Sequence, residues 1–200
     1  DPSSKSAQVD YAVSLFCRAA LESKVVAIAR MRAREAKIPL DRKTIVDNIG
    51  MLLYGMFGPL PAAFSNIVLA MSLNEGWSGG KDSPPSNAWL HESLRLYSPT
   101  VAIDRVATYD MSIFGTSVRS GQLVRCVVAA ANRDGTVFQN PFKFDARRPN
   151  AKNHLAFGRG VHSCLAQGLV ERVGGSLIRH LAAHTRRILL LSKPIEWRIL

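Results

Sequence analysis

The sequence predicts a mainly α-helical protein with small β-sheets, and three patterns carry that prediction. After Cys164 the apolar residues Leu165, Leu169, Val173, Leu177 and Leu181 recur every four positions, the spacing of one helix face. Between Asp47 and Glu75 no charged residue occurs, and the run is long enough by count to cross a bilayer. From Val101 to Ala130 the residues alternate and include β-branched side chains, as short strands do. Two hundred residues at 47% hydrophobic content bury a substantial core, so one domain over residues 1–200 is the economical count.

From Val9 to Ala36 the positions Val13, Phe16, Cys17, Ala20, Leu21, Val25 and Ile28 fit one amphipathic helix with Arg and Glu on its other face. Pro39 and the cluster Asp41-Arg42-Lys43-Thr44 break it. The uncharged run that follows reads as a long helix buried in a soluble protein, not as a membrane span. Pro59, Pro61, Ser65, Asn66 and glycines interrupt it, and no aromatic belt flanks it. Interior prolines should distort it near Gly58 to Pro61, at about 3 kcal/mol or more each. Gly76 to Ser86 is a surface loop, and Asn87 to Leu96 a short helix on which Glu92 and Arg95 face each other. Phe114-Gly115 and Ser120-Gly121 are turns between the strands.

The chemistry centres on Phe157-Gly158-Arg159-Gly160-Val161-His162-Ser163-Cys164. If the last helix begins at Cys164, unpaired backbone N–H groups there stabilise the thiolate over the thiol. A thiolate suits a soft metal centre. Gly158 and Gly160 permit backbone angles closed to other residues and let the chain approach a flat ligand closely. The plain alternative is a buried structural cysteine, common for any lone Cys. Zinc is disfavoured, because Cys17, Cys126 and Cys164 are far apart and no C-x-x-C pair exists. Unpaired cysteines also suit a reducing compartment, hence a cytoplasmic location.

Phe157, Gly160 and Cys164 spell Phe-x-x-Gly-x-x-x-Cys, and this loop resembles the haem-binding loop of the cytochrome P-450 family in its bacterial, soluble form. The resemblance implies haem b, with Cys164 as its iron ligand and Phe157, Gly158, Arg159 and Gly160 around it. It also implies that Arg105 and His162 pair with the haem propionates, a task for which Arg suits carboxylate geometry. Two residues after the cysteine the family usually has glycine, where this chain has Ala166.

Glu92-Ser93-Leu94-Arg95, ahead of Tyr97-Ser98-Pro99, resembles the family's Glu-x-x-Arg signature, which supports the cysteine loop by bonding to a later meander. Its third member is implied to be Lys143 of Pro141-Phe142-Lys143-Phe144, where the family has arginine; lysine keeps the charge but lacks the planar fork. Ala131-Asn132-Arg133-Asp134 and Asp145-Ala146-Arg147-Arg148-Pro149-Asn150 resemble the meander, and Pro194-Ile195-Glu196-Trp197-Arg198 the terminal strand. Phe57-Gly58-Pro59-Leu60-Pro61 aligns with the Ala-Gly-x-Asp/Glu-Thr run of the family's long helix over the haem. The catalytic positions carried over are therefore Gly58, Leu60 and Pro61, with Leu60 and Pro61 in place of the acid and the alcohol.

The fold so implied is the C-terminal half of the family's, with a long central helix over the haem and the cysteine loop beneath. The N-terminal half would be absent, as in a fragment or a split subunit. The activity implied is oxidation of a small organic molecule by a haem-thiolate monooxygenase, in secondary metabolism. Two other readings stand beside it: a peroxide-driven or rearrangement enzyme, and a catalytically silent accessory protein that binds a partner. The 26 Lys+Arg against 15 Asp+Glu give a formal charge of +11, but basic residues are scattered and lack interleaved aromatics, which argues against nucleic acid. The charge suits an acidic, ferredoxin-type redox partner or haem propionates, and the missing N-terminal half is the other partner implied.

Overall fold

The computed structural model describes residues 5–77, 84–185 and 187–189. Its contacts group into two compact units, residues 1–57 and 58–200, where the sequence reads as one domain.

In the first unit the helix expected over 9–36 is two helices, α1 (Lys5–Leu21) and α2 (Lys24–Glu35). The break has a local cause. Ser23 takes an extended conformation and its hydroxyl accepts from the Val26 N–H at 3.3 Å, which starts a new helix. The side chains of Val13 and Cys17 lie outside the described residues. Helix α3 (Arg42–Phe57) starts where Asp41 Oδ1 accepts the Thr44 N–H at 2.7 Å. Val26, Ile45 and Ile49 form a small buried cluster, with Leu21, Leu40 and Leu53 against it.

The second unit opens with α4 (Pro59–Leu73), so the long helix expected over 47–75 is divided at Gly58. The prolines cost less than interior ones would. Pro59 and Pro61 occupy the first and third positions of α4, where backbone N–H groups have no intrahelical partner to lose. The predicted burial is also divided. Ala63, Ile67, Ala70 and Met71 of α4 are buried, whereas Met51, Leu52, Tyr54, Met56 and Phe57 of α3 are exposed. The run Arg42–Leu73 is long and apolar enough to cross a membrane by length and composition.

Helix α5 (Ser86–Leu96) is buried at every residue from Trp89 to Leu96. Strand β1 (Ile103–Val106) pairs antiparallel with β4 (Leu123–Cys126), and β2 (Met111–Ile113) with β3 (Thr116–Val118). Phe114 and Gly115 connect β2 to β3 with φ of 48° and 80°, the two positive angles of a type I′ hairpin turn. The strand region ends earlier than its alternation suggests, because residues Val128–Ala131 wind into a short helix, α6. After an irregular meander and two 3-10 turns (Ala151–Asn153 and Gly160–His162), α7 (Gln167–His184) completes the described fold. The loop predicted over 76–86 falls mostly outside the described residues, as does the terminal strand predicted at 194–198.

Helix α7 packs on α5 and α4 through Val170, Gly174, Gly175 and Ile178. This corrects the predicted stripe in its first part: Leu165, Leu169 and Val173 are exposed and the fully buried line runs one position further on, whereas Leu181 packs against the core as the stripe implies. The reason is contact distance. A Cβ at Gly174 would lie 2.7 Å from Leu90 Cδ1, so only glycine lets α7 meet α5 this closely. Gly174→Ala should lower stability by about 1–3 kcal/mol through overpacking against a buried leucine, read as a lower urea midpoint.

Candidate functional site

Helix α5 carries two charges into the interior, and burial there requires that they be paired. Glu92 and Arg95 are both fully buried at 0% exposure, one turn apart. Arg95 Nε donates to Glu92 Oε2 at 2.7 Å and Nη2 to Oε1 at 2.8 Å, a bidentate fork. The remaining Arg95 N–H groups reach the meander: Nη1 donates to the carbonyls of Asn132 (2.8 Å) and Pro141 (2.7 Å), and Nη2 to that of Lys143 (3.2 Å). The Phe138 ring lies 5.1 Å from the Arg95 guanidinium carbon.

The third charge in this cluster belongs to Arg148, and the expectation for Lys143 is corrected. Arg148 Nε donates to both Glu92 oxygens at 3.1 and 3.2 Å, while its Nη atoms donate to the carbonyls of Gln139, Asn140 and Lys143. Lys143 supplies its main-chain oxygen, and the residue is exposed. Arginine fits here because one planar guanidinium can serve the carboxylate and several carbonyls together. The signal in the sequence was the pair Arg147-Arg148 before Pro149, but nothing in their order says which of the two is buried.

From this cluster the chain is tied to the cysteine loop by Asn132. Its Nδ2 donates to Ser98 Oγ at 2.7 Å, and its Oδ1 accepts the Leu155 N–H at 2.7 Å. The Gly158 N–H then donates to Leu155 O at 2.9 Å, and the Cys164 N–H to Phe157 O at 2.8 Å, closing the loop at its base. Gly158 and Gly160 have φ of 66° and 83°, the left-handed region in which other residues are strained. Phe157 packs against the main core, which anchors one end of the loop.

Cys164 is exposed at the end of this loop. The helix does not begin at the cysteine as expected: Ala166 caps α7 and Gln167 is its first residue, which leaves Cys164 two positions ahead of the cap. A bend intervenes in which the Gln167 N–H donates to Cys164 O at 3.3 Å. Beside the cysteine in sequence, Val161 is 97% and Leu165 91% exposed, and Leu169 and Val173 of α7 are exposed too. Apolar side chains so placed beside a free thiol suit a flat, apolar, metal-bearing group that would cover them. The residues therefore fit a haem.

The other predicted residues are placed as follows. Arg159 precedes the 3-10 turn and His162 ends it, both exposed near the cysteine in sequence. Arg105 is exposed on β1, and its Nη1 donates to the neighbouring Asp104 O at 2.9 Å. Gly58, Leu60 and Pro61 sit at the start of α4, with Leu60 half-buried and Pro61 exposed.

The family model for cytochrome P450 matches residues 82–171, a span that holds Glu92, Arg95, Arg148 and the whole cysteine loop. This span belongs to the cytochrome P450 family. Among curated relatives, cytochrome P450 105A3 of Streptomyces carbophilus is 46% identical over 83 residues, 41% of this chain and 20% of the relative. The biotin biosynthesis cytochrome P450 of Bacillus subtilis is 39% identical over 110 residues, 54% of this chain and 27% of the relative. The matched stretches thus cover only 20% and 27% of these P450s, and the chain spans about half of a solved one. The crystal structure of the Tepidiphilus thermophilus P450 heme domain superposes with a TM-score of 0.83, covering 96% of this chain and 48% of that one, at 23% identity. The fold is therefore part of the P450 fold, helix-rich with small sheets.

The buried cluster is testable by comparing two basic residues. Arg148→Ala should cost about 3–5 kcal/mol, because it leaves Glu92 with one guanidinium and removes the donor to the Gln139 and Asn140 carbonyls. Lys143→Ala should stay within about 0.5 kcal/mol. Thermal unfolding of the two variants side by side checks the assignment.

Proposed function

We propose that this chain is the haem-binding part of a haem-thiolate oxidoreductase that oxidises a small organic molecule, with Cys164 as the iron ligand. The observation that carries this reading is an exposed cysteine at the end of a loop closed by the Cys164 to Phe157 backbone bond and bordered by exposed apolar residues. A haem held by a thiolate supplies oxygen and one-electron chemistry. The polypeptide supplies position. Gly158 and Gly160 shape the loop, Phe157 anchors it to the core, and Val161, Leu165, Leu169 and Val173 offer an apolar bed. Arg105, Arg159 and His162 are cations or potential cations for the propionates. An acidic redox partner of the ferredoxin type complements the formal charge of +11, and a cytoplasmic setting belongs to the same proposal.

A second reading, in which peroxide is the oxidant, draws on the start of α4. Aligned by sequence, Leu60 and Pro61 replace the family's acid and alcohol, and neither side chain can donate or relay a proton. Peroxide brings its own protons. The two readings separate in product formed per electron consumed from a reductant under oxygen, compared with product formed from added peroxide. A product yield that rises sharply with peroxide favours the second; tight coupling to reductant favours the first.

The thiolate assignment has its own test. Haem-loaded protein, reduced and exposed to carbon monoxide, should show the red-shifted band of thiolate ligation, and Cys164→Ala should lose it. A variant that keeps the band would overturn the assignment.

A further inference from the structure

The start of the cysteine loop is held by a pair of buried histidines whose protons can be placed by elimination. His91 on α5 and His154 before the loop are 5% and 7% exposed. His154 Nδ1 accepts the Ala156 N–H at 3.1 Å, and His154 Nε2 lies 3.2 Å from His91 Nδ1. His91 Nε2 in turn lies 3.9 Å from Glu171 Oε1 on α7. The His154 ring also packs on Phe157, with centroids 5.5 Å apart.

A backbone N–H can only donate, so His154 Nδ1 carries no proton. A neutral imidazole has one proton, which must then be on His154 Nε2, and it is donated to His91 Nδ1. His91 therefore carries its proton on Nε2, facing Glu171. The hydrogen bonds assign one tautomer to each ring. A second proton on either ring would oppose donor to donor: on His154 against the Ala156 amide, on His91 against His154.

We propose that neutral His154, with His91 receiving its one proton, is a positioning residue that holds the Phe157–Cys164 loop through the Ala156 amide, and that acid releases this hold. The consequence at the iron rests on the haem-thiolate reading; the hold itself is a property of the polypeptide.

The surrounding charges agree. Burial pushes His154 down to about 4; His91 beside it and Arg95 of α5 act in the same direction, and its own backbone acts against them. Burial also lowers His91, with Lys152 of the first 3-10 turn adding to this and Glu171 of α7 opposing it. The sign follows from linkage. His154 releases its proton more readily when folded than its ordinary 6.5, so between about 6.5 and 4 the open loop binds the extra proton. The hold is complete above this window and is lost as pH falls through it.

The test is amide exchange and imidazole nitrogen NMR on the full chain, with a Leu94 amide of α5 as reference. Both rings should show the Nε2–H tautomer at neutral pH. Protection of the Ala156 amide should fall about tenfold for each pH unit within the window, relative to Leu94. His154→Asn keeps an acceptor near the place of Nδ1 but cannot titrate, so Ala156 should remain protected without this acid dependence. An Nδ1–H tautomer at His154, or an equal pH slope in His154→Asn, overturns the proposal. If that variant does not fold, the tautomers and the wild-type slope decide. Haem-loaded protein provides a second readout: the thiolate band under carbon monoxide should fade through the same window in wild type and persist in His154→Asn. Absence of the band at every pH would defeat the haem reading and leave the exchange result to judge the histidines.

Discussion

The structure around the cysteine depends on one buried carboxylate, that of Glu92. An unpaired charge at 0% exposure is prohibitively costly, and Glu92 is made tolerable by Arg95, Arg148 and the Asp145 N–H, which donates to Oε1 at 2.8 Å. Two guanidiniums on one carboxylate leave N–H groups over. Those groups organise the meander, because the carbonyls of Asn132, Gln139, Asn140, Pro141 and Lys143 all point inward to accept from them. A segment with little regular secondary structure is thereby ordered by charge.

This order passes to the cysteine through short steps. Asn132 gives its carbonyl to Arg95 and its side chain to Ser98 and Leu155. His154 and Phe157 flank that point, one bonded to the Ala156 amide and the other packed on the core. The loop beyond is exposed but closed at its base, which places an accessible thiol on a determined backbone. A ligand site needs this combination of support from beneath and access from above.

Helix α7 shows how the same element serves both sides. Its Gly174 and Gly175 face lets α5 approach closely, and that contact buries the helix carrying Glu92 and His91. Its Leu169 and Val173 are exposed on another face. The first part of the apolar period visible in the sequence is thus exposed, and the small residues beside it form the line that packs.

By itself the sequence determined the fold class, the positions of the turns at Phe114-Gly115 and Gly158-Arg159-Gly160, the Glu92–Arg95 pair and the identity of the cysteine loop. These are legible because each is local: helix and strand periods, glycines at positive φ and a pair one turn apart all follow from neighbours along the chain. Partition at Ser23 and Gly58 was only half legible, since a serine or proline within an apolar run can either cap a helix or interrupt one. Only the tertiary structure decided that Arg148 serves Glu92 and Lys143 does not, that α7 buries Gly174 and Gly175 while exposing Leu169 and Val173, and that His91 meets His154 across a separation of 63 positions. The physical reason is common to all three. Which of several similar side chains is buried depends on the surface opposite, and that surface comes from distant parts of the chain.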